Sequence, residues 1–387
     1  MQYLFIAIFI ALIFLTHFGV YHFFLTVFDV DQIKIKKIVG VVFFLLSFSF
    51  FGSMIIVRLW ENPLSRSFYA FSGIWIGFLV NFLLFYALFG IFLLLFKFAG
   101  LNLNLLLIGR ALFVLAIMYA CFGVYNVFHP RIKNIDIVID NLPENWKGKK
   151  IVQISDLHLG KVLGNRFLSD IVDKVNRTDP DAIVITGDLF DGVDGNLDGF
   201  TDKLSELKSK KGVFYVTGNH EIYLGVGEAI SALEKTNIRF LDDEVVDLDG
   251  LQIIGISFPA FGETKDGKKI IEENKIFDPK KPNILLYHSP TNIFADKDNN
   301  GHSDIYFSPD VNFDDAKDLG INLQLSGHTH KGQIFPFDFV TRLIYGKYNY
   351  GLHKEGDFSI YTTSGTGVWG PTMRTGSRSE IVVITLK

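Results

Sequence analysis

Four long apolar stretches, separated by short polar segments, occupy the first third of the chain. They cover residues 3–28, 38–60, 68–96 and 105–128. Each exceeds the roughly 20 residues that a helix needs to cross the hydrocarbon core of a bilayer. Neither a basic cluster nor a small-residue cleavage site marks the first stretch as a signal peptide. The pattern therefore predicts four transmembrane helices over residues 1–128, in an integral, multi-pass protein of the cell membrane.

The side of the membrane that bears the rest of the chain depends on the basic residues in the loops, because an even number of spans places both chain ends together. Lys34, Lys36 and Lys37 in the first loop favour an extracytoplasmic C-terminal domain. Arg58 and Arg66 in the second loop favour the opposite side. The two signals nearly balance, and the three lysines tip the prediction slightly toward the extracytoplasmic side.

A different pattern begins after residue 128. Residues 129–148 predict a short linker with an edge strand, and residues 149–387 alternate short apolar runs with amphipathic helical stretches. The earlier runs, 149–155, 182–186 and 213–217, are separated by helical patterns, which indicates parallel pairing. The later runs, 244–257, 283–287, 323–326, 358–363 and 380–386, are mostly strands. We expect an α/β domain in which two sheets face each other with helices outside, an αββα sandwich.

Charge and composition argue against nucleic-acid binding, an internal disulfide and a transport function. The net charge of −4 provides no basic field for binding nucleic acid. The one cysteine, Cys121, cannot form a disulfide within the chain. The apolar stretches contain no acidic pair and no helix broken by glycine and proline, so an anchor in the bilayer is favoured over a transport path.

Five short polar segments directly follow predicted strands, and each carries a potential metal ligand. Their chemistry-bearing residues are Asp156 and His158, Asp188 and Asp191, Asn219 and His220, His288, and His328 and His330. Because the strands end at these points, we expect all five segments on one edge of one sheet. Carboxylates, imidazoles and an amide without a thiolate suit Mn, Fe, Zn, Ni or Co.

The alternative for each segment alone is structural. A single His288 after a strand is more often a core histidine, and a single Asn219 or His220 belongs as readily to a turn with a helix cap. Taken together, the five segments favour a site for two divalent cations. Two such cations about 3.5 to 4 Å apart need a bridging carboxylate, and Asp188 is the natural bridge.

The succession DxH, GDxxD, GNHE, H and GHxH resembles the calcineurin-like metallophosphoesterase superfamily, over nearly all of residues 149–387. The resemblance implies that one metal is bound by Asp156, His158, Asp188 and His330, and the other by Asp188, Asn219, His288 and His328. It also implies that His220 lies beside the phosphate, where it stabilises the developing charge or protonates the leaving group. Asp191 would steady the metal ligands without binding a metal itself, and a hydroxide bridging the metals would be the nucleophile.

The function implied is a membrane-anchored hydrolase of phosphodiester or pyrophosphate bonds. The alternative is a catalytically weak metal-binding interaction module fixed to the membrane.

The segment Gly365–Pro371 resembles membrane-associated bacterial members, including a branch that cleaves the pyrophosphate of a UDP-linked diacylated glucosamine. Those members usually carry a second proline and a second glycine where this chain has Thr372 and Lys331. We expect Arg374 or Arg378 to contact a substrate phosphate. The short linker after residue 128 favours phospholipid-like or lipid-linked pyrophosphate substrates over diffusible nucleotides.

A calcium loop is a separate hypothesis. Asp296, Asp298, Asn300 and Asp304 stand at ligand positions 1, 3, 5 and 9 of such a loop, although Phe307 occupies position 12, where a bidentate glutamate belongs. A polar surface loop explains the same residues equally well.

Overall fold

The computed structural model describes residues 2–101, 104–192, 197–260, 263, 265–293 and 309–387. The chain packs as two units. The helical unit comprises Met1–Tyr125 with Gly370–Thr375, and the sheet unit comprises Asn126–Trp369 with Gly376–Lys387. The helical unit thus ends at Tyr125, three residues before the end of the predicted membrane region at residue 128. It also includes a short segment near the C-terminus, which the sequence did not indicate.

Five helices form the main part of the helical unit: α1 (Gln2–Val27), α2 (Ile33–Ser47), α3 (Ser49–Leu59), α4 (Pro63–Ala99) and α5 (Leu105–Phe128). Among the described residues, α1, α4 and α5 are long and apolar enough to span a membrane. Helices α2 and α3 meet at a 50° bend and provide either a broken span or a re-entrant loop. Passage of the chain four times through the bilayer stays a prediction.

Serine side chains accompany the bend between α2 and α3. The Ser47 hydroxyl donates to the Phe44 carbonyl at 2.6 Å, and the Ser49 hydroxyl donates to the Leu46 carbonyl at 2.7 Å. Hydroxyls that bond to the preceding turn compete with the backbone hydrogen bonds of the helix and bend it. The continuous apolar stretch 38–60 concealed this break, because hydropathy does not register such bonds.

The segment Gly370–Thr375 packs against the helices of its unit. The Tyr119 hydroxyl donates to the Thr375 carbonyl at 2.8 Å. Gly123 makes room for the segment, since a Cβ there would lie 2.6 Å from Thr375 Cγ2 and 2.7 Å from Met373 Cγ. A part of the chain far from α5 in sequence is therefore part of the helical core.

The described part of the sheet unit contains two six-stranded sheets. The first has the order β1-β12-β2-β3-β4-β5, where the strands are β1 (Arg131–Ile137), β2 (Lys150–Ile154), β3 (Ala182–Thr186), β4 (Val213–Val216), β5 (Ile238–Phe240) and β12 (Glu380–Leu386). The second has the order β10-β11-β9-β8-β7-β6, where the strands are β6 (Glu244–Leu248), β7 (Leu251–Gly255), β8 (Asn283–Leu286), β9 (Leu323–Ser326), β10 (Gly351–Glu355) and β11 (Phe358–Thr362). Parallel pairing of β2, β3, β4 and β5 confirms the α/β prediction for the first sheet.

Within its described residues, the sheet unit has seven α-helices: α6 (Asn165–Arg177), α7 (Asp198–Leu204), α8 (Asn219–Leu224), α9 (Val226–Leu233), α10 (Gly267–Glu272), α11 (Asp314–Asp318) and α12 (Phe337–Tyr345). One buried cluster joins inward residues of both sheets, such as Val184 and Leu325. A second cluster packs α6, α7 and α9 on the outer face of the first sheet, and a third includes Ile271 of α10 and Ala316 of α11 on the second sheet. The αββα sandwich is confirmed.

The region 244–257, predicted to be mostly strand, contains two strands. Residues 244–257 form the antiparallel hairpin of β6 and β7 and not one continuous strand. The turn contains Asp249 and Gly250, whose φ angles of 53° and 94° both lie in the left-handed region. An Asp-Gly pair favours this two-residue hairpin turn, and it was the local signal of the break.

Candidate metal centre

The ends of five strands bring the chemistry-bearing residues together. Strands β2, β3 and β4 of the first sheet precede the segments that begin at Asp156, Asp188 and Asn219, while β8 and β9 of the second sheet precede His288 and His328. The expectation that one sheet edge carries all five segments is therefore wrong. Stacking of the two sheets brings strand ends from both to a common place.

The backbone at the site is unusual. Asp156, His158, Asp188, His328 and His330 have φ angles of 52°, 49°, 49°, 71° and 48°. The left-handed region costs a residue with a side chain about 1–2 kcal/mol. Such strain persists only where the surrounding structure enforces it, and it concentrates at functional sites.

Asp156, His158 and His330 form the first cluster of potential ligands, and all three side chains are buried. His158 Nε2 lies 3.0 Å from His330 Nε2, which in turn lies 3.3 Å from Asp156 Oδ1. A cation could bind both imidazole nitrogens at a position adjacent to each of them.

Asp188, Asn219, His288 and His328 form the second cluster. Asn219 Oδ1 lies 2.9 Å from His328 Nδ1 and 3.1 Å from His288 Nε2, and the two histidine nitrogens are 3.2 Å apart. His288 Nδ1 donates to the Thr186 carbonyl at 2.8 Å, which leaves Nε2 as the nitrogen available to a cation.

Asp188 connects the two clusters through one oxygen. Its Oδ2 atom lies 3.2 Å from His288 Nε2 and 3.8 Å from His158 Nε2. The other oxygen, Oδ1, accepts the backbone N–H of His220 at 2.8 Å, which fixes the orientation of the carboxylate. The Asp188 carboxylate therefore lies between the two clusters, and its role as a bridge between two cations stays a prediction.

The donor atoms fit divalent cations. A cation with bonds of about 2.0–2.1 Å to two donors at a right angle separates those donors by about 2.9 Å. The donor separations of 2.9–3.3 Å within the two clusters are close to this value. Asp156 Oδ2 and His158 Nδ1 are in addition buried without a hydrogen-bond partner among the described residues.

Electrostatics at the site favour charged carboxylates and mostly neutral imidazoles. Burial lowers the pKa of His328 to about 3, and His288 adds to that effect. Burial raises the pKa of Asp188, but the adjacent His288 and His220 outweigh it and hold that pKa well below its ordinary value. Burial likewise disfavours charged His288, yet Asp188 raises its pKa to about 9. A cation would replace the proton on His288, since an imidazole ligand must be neutral.

His220 and Asp191 lie beside the first cluster. His220 Nδ1 donates to the Asp191 carbonyl at 2.7 Å, and the His220 ring is 4.4 Å from the ring of His158. The Asp191 carboxylate lies 3.8 Å from His158 Nδ1. Burial raises the pKa of Asp191 to about 7.

Comparison with known proteins agrees with this geometry. The profile of calcineurin-like phosphoesterases matches residues 149–332. A metallophosphoesterase of Campylobacter jejuni is 35% identical over 286 residues, which cover 73% of this chain and 70% of the relative. One from Helicobacter pylori is 36% identical over 287 residues, with 73% and 70% covered. The chain belongs to the calcineurin-like phosphoesterase family.

A relative with membrane character also matches this calcineurin-like phosphoesterase. The Danio rerio protein named transmembrane protein with metallophosphoesterase domain is 30% identical over 295 residues, or 72% of this chain and 62% of the relative. This relative and the long apolar helices support membrane association. The family and the fold that the motifs predicted are confirmed, and the family is metal-dependent.

The two arginines predicted to contact phosphate lie in different surroundings. Arg374 is fully buried, belongs to the helical unit and donates its backbone N–H to the Gly123 carbonyl at 2.9 Å. Arg378 is exposed in the sheet unit. Contact of either side chain with a phosphate stays a prediction. The predicted calcium ligands at residues 296–304 lie outside the described residues.

Glu221 is a site residue of this calcineurin-like phosphoesterase that sequence reasoning missed. It is fully buried, and its Oε2 atom accepts the backbone N–H groups of Gly218 at 2.7 Å and Asp188 at 3.0 Å. Its Oε1 atom accepts the N–H of Phe190 at 3.0 Å. Glu221 therefore joins the loop after β3 to the loop after β4. The signal was its place three residues after Gly218, which is typical of a capping box.

Gln333 and Trp369 form a second unanticipated pair. Gln333 Nε2 donates to the Trp369 carbonyl at 3.0 Å, and Gln333 Oε1 accepts the Trp369 N–H at 3.3 Å. The Trp369 ring is half exposed and lies 6.2 Å from the ring of His220. Gln333 thus holds the Trp369 backbone in place, and the Trp369 ring provides an apolar surface beside His220.

Proposed function

We propose that the sheet unit hydrolyses phosphodiester or pyrophosphate bonds with the help of two divalent transition-metal cations. One would be held by Asp156, His158, Asp188 and His330, and the other by Asp188, Asn219, His288 and His328. The observation that carries the proposal is the single oxygen of Asp188 that lies near ligands of both clusters. A carboxylate shared in this way is what two neighbouring cations require.

The bound cations would supply a nucleophile from water near neutral pH and stabilise negative charge on the phosphoryl oxygens. The protein side chains provide the rest. His220 Nδ1 is engaged by the Asp191 carbonyl, which leaves Nε2 to meet the substrate. Burial disfavours the charged ring, but the Asp188 carboxylate outweighs it and raises the pKa of His220. A protonated His220 can donate its proton to the leaving oxygen as the P–O bond breaks.

The proposed substrate carries its phosphate on a lipid. Helix α5 ends at Phe128 and β1 begins at Arg131, so two residues join the last apolar helix to the first strand. A chain of this length spans about 10 Å at most. Proximity to the bilayer favours a phospholipid-like or lipid-linked pyrophosphate over a diffusible nucleotide. On the loop charges alone, the proposed location of the sheet unit is extracytoplasmic.

Replacing Asp188 tests the proposal. The purified full chain is assayed with bis(p-nitrophenyl) phosphate in Mn²⁺, alongside Asp188→Asn and the exposed control Asp173→Asn. Asp188→Asn is expected to reduce kcat/KM by at least about 100-fold, in line with other perturbed metal sites, while Asp173→Asn retains it. Equal hydrolysis by Asp188→Asn and the wild type would contradict the bridging role.

The substrate class needs its own measurement. A panel of lipid extracts is incubated with the full chain in vesicles, and released phosphate compounds are identified by mass spectrometry. Hydrolysis of lipid-linked phosphates is expected, whereas activity on soluble nucleotides alone would refute the lipid assignment. A chain that binds cations yet hydrolyses no phosphoester would support the metal-binding interaction module instead.

A further inference from the structure

The helix α12 of the sheet unit exposes its apolar side. Phe339, Val340 and Leu343 are 56%, 47% and 86% exposed. The opposite side, which includes Asp338 and Tyr345, faces the sheet unit, and Tyr345 is buried. At 100° per residue, the three exposed positions share one face of the helix.

Contacts with the metal-ligand segment hold α12 in place. The Tyr345 ring lies 5.9 Å from the ring of His328. Asn349, just beyond the helix, donates to Thr341 Oγ1 at 3.4 Å and accepts at its carbonyl the Thr329 hydroxyl at 2.7 Å. The exposed apolar face is therefore carried by a rigid element directly beside the candidate metal centre.

Exposure of this apolar face to water is unfavourable. Each of the three side chains keeps about half or more of its surface in water, and removing that apolar surface from water is favourable. Single exposed apolar residues are ordinary, but several on one face of a helix indicate a partner. The sheet unit is connected to a bilayer-length helix by two residues, so a lipid surface is within reach of the unit.

Charge also fits a lipid partner. The exposed charged residue within α12 is Arg342, a cation, and the acidic Asp338 lies on the opposite side from Phe339 and Leu343. Amphipathic helices that lie in the lipid–water interface combine an apolar face with basic residues at its border. We propose that α12 lies in the membrane interface with Phe339, Val340 and Leu343 among the acyl chains. The candidate metal centre is thereby held next to the lipid headgroups.

A depth measurement on the full chain tests this proposal. In a Cys121→Ser background, Leu343→Cys is labelled with the environment-sensitive fluorophore NBD and reconstituted in phosphatidylcholine–phosphatidylglycerol vesicles. The matched control is Ile276→Cys, at a position that is also apolar and 50% exposed in the sheet unit. We expect a blue-shifted emission at Leu343→Cys, with at least twofold quenching by doxyl-labelled lipid. The control is expected to keep the emission of a probe in water.

Two results would overturn the proposal. One is a probe at Leu343→Cys that emits as in water and escapes lipid quenching. The other is a blue shift without lipid quenching, accompanied by cross-linking between copies, because the face would then contact a second chain. Neither readout depends on catalysis, so an inactive protein would refute the proposed function and leave this test intact.

A functional comparison supplies the second readout. The Leu343→Asp variant is expected to lose at least tenfold in kcat/KM on a phosphoester embedded in vesicles and to retain hydrolysis of bis(p-nitrophenyl) phosphate. Ile276→Asp serves as the control and is expected to retain both activities. Equal activity of Leu343→Asp on the two substrates, relative to wild type, would contradict a role for the face at the membrane.

Discussion

Glu221→Gln is the substitution whose effect follows most directly from the hydrogen bonds at the site. The carboxylate accepts three backbone N–H groups, from Asp188, Phe190 and Gly218. Glutamine keeps the shape of glutamate but replaces one acceptor oxygen with an NH₂ group that cannot accept. The variant therefore tests the connection between the two loops and leaves the packing volume nearly unchanged.

The magnitude follows from the arrangement of the bonds. If the amide oxygen takes the place of Oε2, two of the three bonds persist, and the N–H of Phe190 faces an NH₂ group. Loss of one hydrogen bond to a charged group costs about 1.5–3 kcal/mol. The opposite amide orientation loses two bonds and is disfavoured. Since Asp188 follows its loop, we also expect cation affinity to fall by about 10–100-fold.

Two measurements on detergent-purified full chain check this prediction. Thermal unfolding with and without EDTA reports stability, and titration with Mn²⁺ reports cation affinity. The control is Glu228→Gln, at an exposed position in the first turn of α9. We expect a lower Tm and weaker Mn²⁺ binding for Glu221→Gln alone. Unfolding and binding equal to those of the wild type would refute the structural role of Glu221.

Three further predictions concern other parts of the chain. Gly123→Val should destabilise the helical unit by about 1–3 kcal/mol, because its Cβ would lie 2.7 Å from Met373 Cγ. The control Gly90→Val should unfold at the wild-type temperature, because a Cβ at Gly90 would meet nothing within 4 Å. Lys331→Gly should raise Tm, with a gain of roughly 0.5–1 kcal/mol, because Lys331 has a φ of 50° that glycine adopts freely; an unchanged or lower Tm would contradict this. Burial raises the pKa of Glu380, but nearby basic groups outweigh burial and lower that pKa below 4.5. The charged carboxylate therefore stabilises the fold above pH 4.5, and this stabilisation is lost as pH falls through the folded-state pKa. The difference in Tm between the wild type and Glu380→Gln should therefore shrink on acidification, and a constant difference would argue against the charge effect.

The residues of the candidate metal centre were predictable because each lies directly after an apolar strand. Asp156 and Asp188 lie far apart in sequence, yet both follow neighbouring parallel strands of the first sheet, whose carboxyl ends meet at one edge. The hydrophobic pattern predicted the strands, and the resemblance to the family motifs predicted which residues bind which metal. The contribution of both sheets was not predictable, because the strand pattern does not reveal which strands share a sheet.

Contacts between distant parts of the chain explain the remaining differences. The place of Gly370–Thr375 among the helices depends on space left by Gly123, and neither segment shows this in its own sequence. The apolar residues Phe339, Val340 and Leu343 of α12 lie on its exposed side. Orientation of a short helix is decided by its neighbours, here through Tyr345 and His328, and not by its own pattern.

Metal content tests the central claim most directly. The full chain is stripped with a chelator, equilibrated with Mn²⁺ and analysed for bound metal per chain, together with His328→Ala, which removes a ligand of the second cluster alone. The two clusters predict two tightly bound Mn²⁺ ions in the wild type and one in His328→Ala. A wild-type chain that binds one ion or none, or a His328→Ala chain that still binds two tightly, would contradict the account.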